Sequence, residues 1–353
     1  MKKCLFTGVA TALATPFNET GVNTGEFKKF IQFQISSGVD ALVVCGTTGE
    51  SSTMTKQEKI DAISCAIETV NSNNHKIPVI VGTGSNNTTS AIEMSILAEK
   101  LGADGLLVVT PYYNKTTQAG LVAHFRAIAE SVSIPIILYN VPSRTGMNIE
   151  PSTCFELSKI DNIIGIKEAS GNISQVAKIA SLCGDDFSIY SGNDDQICPI
   201  LSLGGKGVIS VLSNIAPQLT CSITNSFFKK APDEACYYQL QALPLIEELF
   251  AETNPIPVKY AINLLGFNFG IPRLPLVECS NNLKDKIKKM HKTEPVPNVP
   301  YFSSFFVFLK FCLEESIRFL ISLLELSILR AISSLDSSIF FFISSHLSYN
   351  ILF

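Results

Sequence analysis

Eight short apolar runs, alternating with segments of helical periodicity, constrain the fold of this chain more than any other feature. The runs cover residues 6–13, 41–45, 78–82, 105–110, 135–141, 163–167, 187–191 and 207–211. Most are continuous rather than alternating, the pattern of a parallel strand buried on both faces. Between them, residues 26–37, 56–71, 89–101 and 118–132 carry apolar side chains at helical spacing. Thr55 stands three residues before Glu58, and Gly38 and Gly102 follow helical stretches, so start and stop signals agree with the periodicity. Eight β–α units joined by short links predict closure into a (β/α)8 TIM barrel, of class α/β, rather than an open doubly wound sheet. No GxGxxG opens the first unit, which weighs against a dinucleotide site.

At 353 residues the chain exceeds a barrel of about 250 residues and leaves room for an extension. Residues from about 215 to 291 read as helical throughout, with Pro217, Pro232, Pro255 and Pro257 as punctuation. The expected division is a catalytic barrel over 1–230, a small C-terminal helical domain over 231–292, and an atypical hydrophobic tail over 293–353. The tail opens on the extended linker Glu294-Pro295-Val296-Pro297-Asn298-Val299-Pro300. Ten of the 23 Phe follow that linker, and no Gly or Pro does, so the tail departs from the design of the barrel. Its charges at Lys310, Glu314, Glu315, Arg318, Glu325, Arg330 and Asp336 leave no stretch of 18 uncharged residues, against a membrane-spanning helix. An appendage without a selected role, or an amphipathic partner-binding helix, are the remaining readings. At the other end, Met1-Lys2-Lys3 before an apolar stretch has the outline of a secretory signal, but Thr7, Gly8 and Thr11 interrupt it and favour a first strand.

A net charge of −4 excludes the basic footprint of a nucleic-acid binder. Ten cysteines without a CxxC pair and four histidines offer no zinc-type cluster, and point to reduced, buried thiols in a cytoplasmic protein.

Catalytic groups of such barrels sit at the C-terminal ends of strands. The second run ends in Cys45-Gly46-Thr47-Thr48-Gly49-Glu50, a tight loop whose amides and hydroxyls suit a small carboxylate. The fourth ends in Thr110-Pro111-Tyr112-Tyr113-Asn114, and the fifth in Tyr139-Asn140-Val141-Pro142-Ser143-Arg144-Thr145-Gly146. These bring phenols for proton transfer and an arginine for an anion. The sixth ends in Gly165-Ile166-Lys167-Glu168-Ala169, where burial of a strand-end lysine favours the neutral, nucleophilic amine. Alternation turns Glu168 to the opposite face from Lys167. Each motif has a bland alternative: a structural turn, a core tyrosine, a lysine reaching to solvent. Together they meet the needs of Schiff-base chemistry on a keto acid.

These motifs, with Ser191-Gly192-Asn193-Asp194, Gly205-Lys206-Gly207-Val208-Ile209-Ser210 and Asn254-Pro255-Ile256-Pro257-Val258-Lys259, resemble the dihydrodipicolinate synthase family over residues of about 4 to 291. The resemblance implies condensation of pyruvate with aspartate-semialdehyde in lysine and diaminopimelate biosynthesis, with no cofactor or metal. It implies Lys167 as the Schiff-base lysine, Tyr139 as proton donor and acceptor, and Thr47 in the relay. Tyr113 would complete that relay from a neighbouring subunit of a homotetramer built as a dimer of dimers. It further implies Thr47 and Thr48 on the pyruvate carboxylate, Arg144 on that of the semialdehyde, and Gly192 and Ile209 lining the pocket. Lysine-sensitive relatives carry histidines where this chain has Lys56 and Lys59, and a glutamate where it has Ser90, whereas Tyr112, Ser51 and Asn86 match. Two added cations and a lost carboxylate disfavour a cationic effector. Sister enzymes such as N-acetylneuraminate lyase and keto-deoxy sugar acid aldolases share the lysine, the tyrosine and the loop. Arg144 favours a short acidic aldehyde over a polyol. The alternative of another class is a barrel that has lost catalysis and serves as a binding protein.

Overall fold

The structure, a computed structural model, describes residue 2 and residues 4–292; the tail and its linker lie outside the described residues. Eight parallel strands close into a barrel: β1 (Gly8–Ala12), β2 (Ala41–Val44), β3 (Val79–Gly82), β4 (Gly105–Val109), β5 (Ile136–Asn140), β6 (Ile163–Glu168), β7 (Ser188–Ser191) and β8 (Gly207–Ser210). Each pairs with its sequence neighbours, and β8 returns to β1. That closure is tight. A Cβ on Gly207 would stand 1.9 Å from the carbonyl oxygen of Gly8, so only glycine lets the two strands meet.

The barrel interior is a packed core rather than a pore. Ala10, Ala12, Val43, Ile80, Leu107, Ile137, Tyr139 and Ile209 fill it, small residues on β1 facing larger ones on its neighbours. Phe6 plugs one end: it stacks on Tyr190 with ring centroids 4.3 Å apart, and the Tyr190 hydroxyl donates to the Phe6 carbonyl at 2.8 Å.

The outer layer starts with α1 (Thr24–Ser36), α2 (Lys56–Asn71), α3 (Thr88–Leu101) and α4 (Gln118–Ala129). The expected capping box is formed at α2, where the Thr55 hydroxyl accepts from the Glu58 amide and the Glu58 carboxylate from the Thr55 amide. The layer continues with α5 (Pro142–Thr145), α6 (Pro151–Leu157), α7 (Ile173–Cys183), α8 (Ile197–Ser202) and α9 (Pro217–Phe228). Three helices follow: α10 (Pro232–Phe250), packed on α9, then α11 (Ile256–Leu264) and α12 (Asn281–Lys292).

The expectation of helix throughout 215–291 needs correction. Residues 265–280 are non-helical, because Gly266 and Gly270 take positive φ of 95° and 68° and Pro272 and Pro275 lack amide donors. This segment folds back along the barrel: Phe267 and Phe269 pack edge-on against Phe30 of α1. Nine described cysteines are free, five buried, three half-buried and Cys236 exposed. No helix among the described residues is long and apolar enough to cross a membrane.

Candidate active site

The register of β5 and β6 places Tyr139 beside Lys167 and Asn140 beside Glu168. Both members of the first pair point into the barrel mouth and are buried, and Lys167 Nζ lies 4.5 Å from the centroid of the Tyr139 ring. No carboxylate comes within ion-pair distance of that amine among the described residues.

Glu168 faces outward, as alternation requires, into a buried amide network. Its oxygens accept from Asn140 Nδ2 at 3.0 and 3.2 Å, Gln175 Nε2 at 3.1 Å and the Ser170 amide at 2.7 Å. Asn148 closes the ring by bonding both Asn140 and Gln175. The network therefore fixes β5 against β6 one residue beyond the Tyr139–Lys167 pair.

The loop after β2 is held from two sides. The Thr15 hydroxyl donates to the Gly49 carbonyl at 2.9 Å. Glu50, in the left-handed region at φ 55°, pairs with Lys259 Nζ at 2.7 Å, and both side chains are essentially inaccessible. Burial pushes the Lys259 ammonium down, and the facing carboxylate partly restores it. The second Glu50 oxygen accepts from the Arg273 amide at 2.8 Å. Thr47 and Thr48 are thus fixed in space by residues more than 200 positions later, in α11 and the segment after it.

Thr47, Thr48, Tyr139, Arg144, Lys167 and Gly192 line one cavity of about 190 Å³ at the C-terminal ends of the strands. Gly192 is there because nothing larger fits: a Cβ would stand 2.6 Å from that of Ala169 and 3.1 Å from Lys167 Cε. Arg144, on α5, is exposed and donates to the Asn254 carbonyl at 3.3 Å. Buried Asp194 ties the β7 loop to the end of β8 by accepting from the amides of Val211 and Leu212, and burial pushes its carboxyl up.

Two expected site residues do not line this cavity. Ile209 is fully buried in the barrel interior, and the residue at the wall is Val211, one position past the end of β8. Tyr113 is 92% exposed on the loop after β4, at φ 71°. Sequence reasoning gave no role to Asn254 and Phe250, which both line the cavity. Their only local signal was the Asn254-Pro255 motif itself.

A second cavity, of about 220 Å³, shares Gly46, Thr47, Leu107 and Tyr139 with the first. Lys56, Lys59, Ser51 and Ser90 stand on its rim with Glu93. Among the described residues no group of three His, Cys, Asp or Glu side chains is placed to hold a metal ion.

A 4-hydroxy-tetrahydrodipicolinate synthase of Clostridium acetobutylicum is 57% identical over 288 residues, covering 80% of this chain and 97% of that protein. The crystal structure of a dihydrodipicolinate synthase from Thermotoga maritima is 42% identical, with a TM-score of 0.80 over 82% of this chain and 98% of that one. A monomeric dihydrodipicolinate synthase variant is also 42% identical, with a TM-score of 0.79, covering 82% and 96%. The sequence model of the Dihydrodipicolinate synthetase family matches residues 5–294, and the chain belongs to that family.

Proposed function

We propose that this enzyme is a 4-hydroxy-tetrahydrodipicolinate synthase that condenses pyruvate with aspartate-semialdehyde, in lysine and diaminopimelate biosynthesis. One observation carries the mechanism: a buried Lys167 beside the Tyr139 ring, with no carboxylate at ion-pair distance among the described residues, in a cavity that also holds Thr47, Thr48 and Arg144. The neutral amine of Lys167 attacks the pyruvate ketone, and the carbinolamine loses water to give an iminium. Loss of a methyl proton gives the enamine, whose carbon attacks the aldehyde of the second substrate. Tyr139 gives and takes the protons, with Thr47 continuing the relay. Thr47 and Thr48 hold the pyruvate carboxylate, Arg144 that of the semialdehyde, and Gly192 shapes the cavity wall.

Tyr113 reaches the relay of a neighbouring subunit in a homotetramer. Its 92% exposure supports a role outside its own chain. A similar chain described as monomeric makes the oligomeric state worth measuring directly. We place the enzyme in the cytoplasm, and divide the chain into a barrel over 1–230 and an appendage over 231–292. Lys56 and Lys59 at the second cavity support weak or absent inhibition by lysine.

Borohydride reduction in the presence of pyruvate tests the mechanism. A reduced pyruvate adduct on Lys167, found by peptide mass spectrometry, is the expected result. An adduct on another lysine, or none, overturns it.

A further inference from the structure

Asn254 touches both carboxylate-binding groups of the proposed site. Its Nδ2 donates to Thr48 Oγ1 at 3.1 Å, and its backbone carbonyl accepts from Arg144 Nη2 at 3.3 Å. Asn254 and Thr48 are 6% and 3% exposed, and both line the cavity with Lys167. The remaining polar atom, Asn254 Oδ1, is buried without a hydrogen-bond partner among the described residues.

A threonine hydroxyl has one proton to give and lone pairs to accept with, whereas a carboxylate can only accept. While Thr48 accepts from Asn254, its proton is free for a carboxylate in the cavity. Turning the amide over would hand that proton to Oδ1, put Nδ2 in the unpartnered position, and leave only oxygen lone pairs facing an anion. The observed arrangement leaves one buried acceptor unpaired, an unfavourable state, and keeps the hydroxyl proton available.

We propose that Asn254 is a positioning residue that sets the direction of the Thr48 hydroxyl, so that Thr48 donates to the carboxylate of pyruvate. This rests on the reading of pyruvate as first substrate. Because the link to Arg144 runs through the backbone, the Asn254 side chain governs the pyruvate half of the site and leaves the semialdehyde half intact.

A double-mutant cycle on the full chain tests the proposal. Asn254→Ala, Thr48→Val and the double variant are compared by the pyruvate concentration that gives half-maximal borohydride-trapped adduct, by KM for each substrate, and by melting temperature. We expect Asn254→Ala to raise half-saturating pyruvate about tenfold, as for loss of a charge-assisted bond. KM for the semialdehyde should stay within about twofold, and the double variant should be no worse than Thr48→Val alone. Additive losses, unchanged pyruvate saturation, or equal losses for both substrates overturn the proposal. If Asn254→Ala does not fold, Asn254→Asp decides. It keeps the shape and the backbone link but draws the Thr48 proton to itself, so pyruvate binding should weaken at least as much as in Thr48→Val. Unchanged binding overturns the proposal. A wild-type enzyme that forms no adduct overturns the pyruvate reading itself, and this inference with it.

Discussion

Arg144 joins the cavity from an exposed position, and among the described residues its guanidinium donates to the Asn254 carbonyl. Removing its guanidinium should therefore affect a ligand more than the fold. Arg144→Ala should weaken use of aspartate-semialdehyde by roughly 1.5–3 kcal/mol, the range for a hydrogen bond to a charged group. The Lys167 adduct with pyruvate should form at near wild-type concentrations, because that half-reaction does not need the second carboxylate. Steady-state kinetics beside borohydride trapping checks this, and equal impairment of both halves would show that the role is misassigned. That Lys167, Tyr139, Thr47, Thr48 and Arg144 line one cavity was legible because each stands at or just past the end of an apolar run, where barrel topology gathers side chains. Asn254 and Lys259 were not, because their roles depend on a chain returning over 206 and 209 residues. Ile209 lies inside β8 and Val211 just past its end, where the chain has left the extended conformation, and an apolar run read from sequence does not fix where the strand stops.

The N-terminus of α2 is held twice, by its own capping box and by Arg273, whose guanidinium reaches the two Glu58 oxygens at 2.6 and 3.0 Å. That guanidinium, helped by the Thr55 amide, brings the Glu58 carboxyl down to about 2. The folded value lies below the unfolded value of about 4.3, so the stabilisation is complete above that pH and is lost as pH falls through about 2. Glu58→Gln should cost about 1 kcal/mol near neutrality, with solvent screening at this rim position. The difference in melting temperature from wild type should narrow between pH of about 5 and 3; a constant gap would mean that Glu58 acts by shape alone. At this scale the eight strands lie within about two residues of their apolar runs. The short helices α5 and α6 escaped notice because four and seven residues carry too little periodicity to register. The break at 265–280 was written in Gly266, Gly270, Pro272 and Pro275, and Phe267 and Phe269, two residues apart, do not continue a helical face.

Among the described residues, those that line the proposed catalytic cavity all stand at or before Asn254, and the described fold runs to Lys292 at the end of α12. Among the described residues the barrel closes and its core is filled by residues that all precede the linker. We therefore expect a form ending at Lys292 to keep full activity and to be more soluble than the whole chain. Activity assays and sedimentation of the two forms side by side check this, and loss of fold or of assembly in the shorter form would make the tail part of the structure. The return of α11 and the following segment to the β2 loop also orders events in time. On a chain made from its N-terminus, all eight strands precede residue 211, yet Asn254, Lys259 and Arg273 are still to come. A ribosome-bound barrel can thus close before its carboxylate loop is held, and competence arrives only with the last quarter of the described chain.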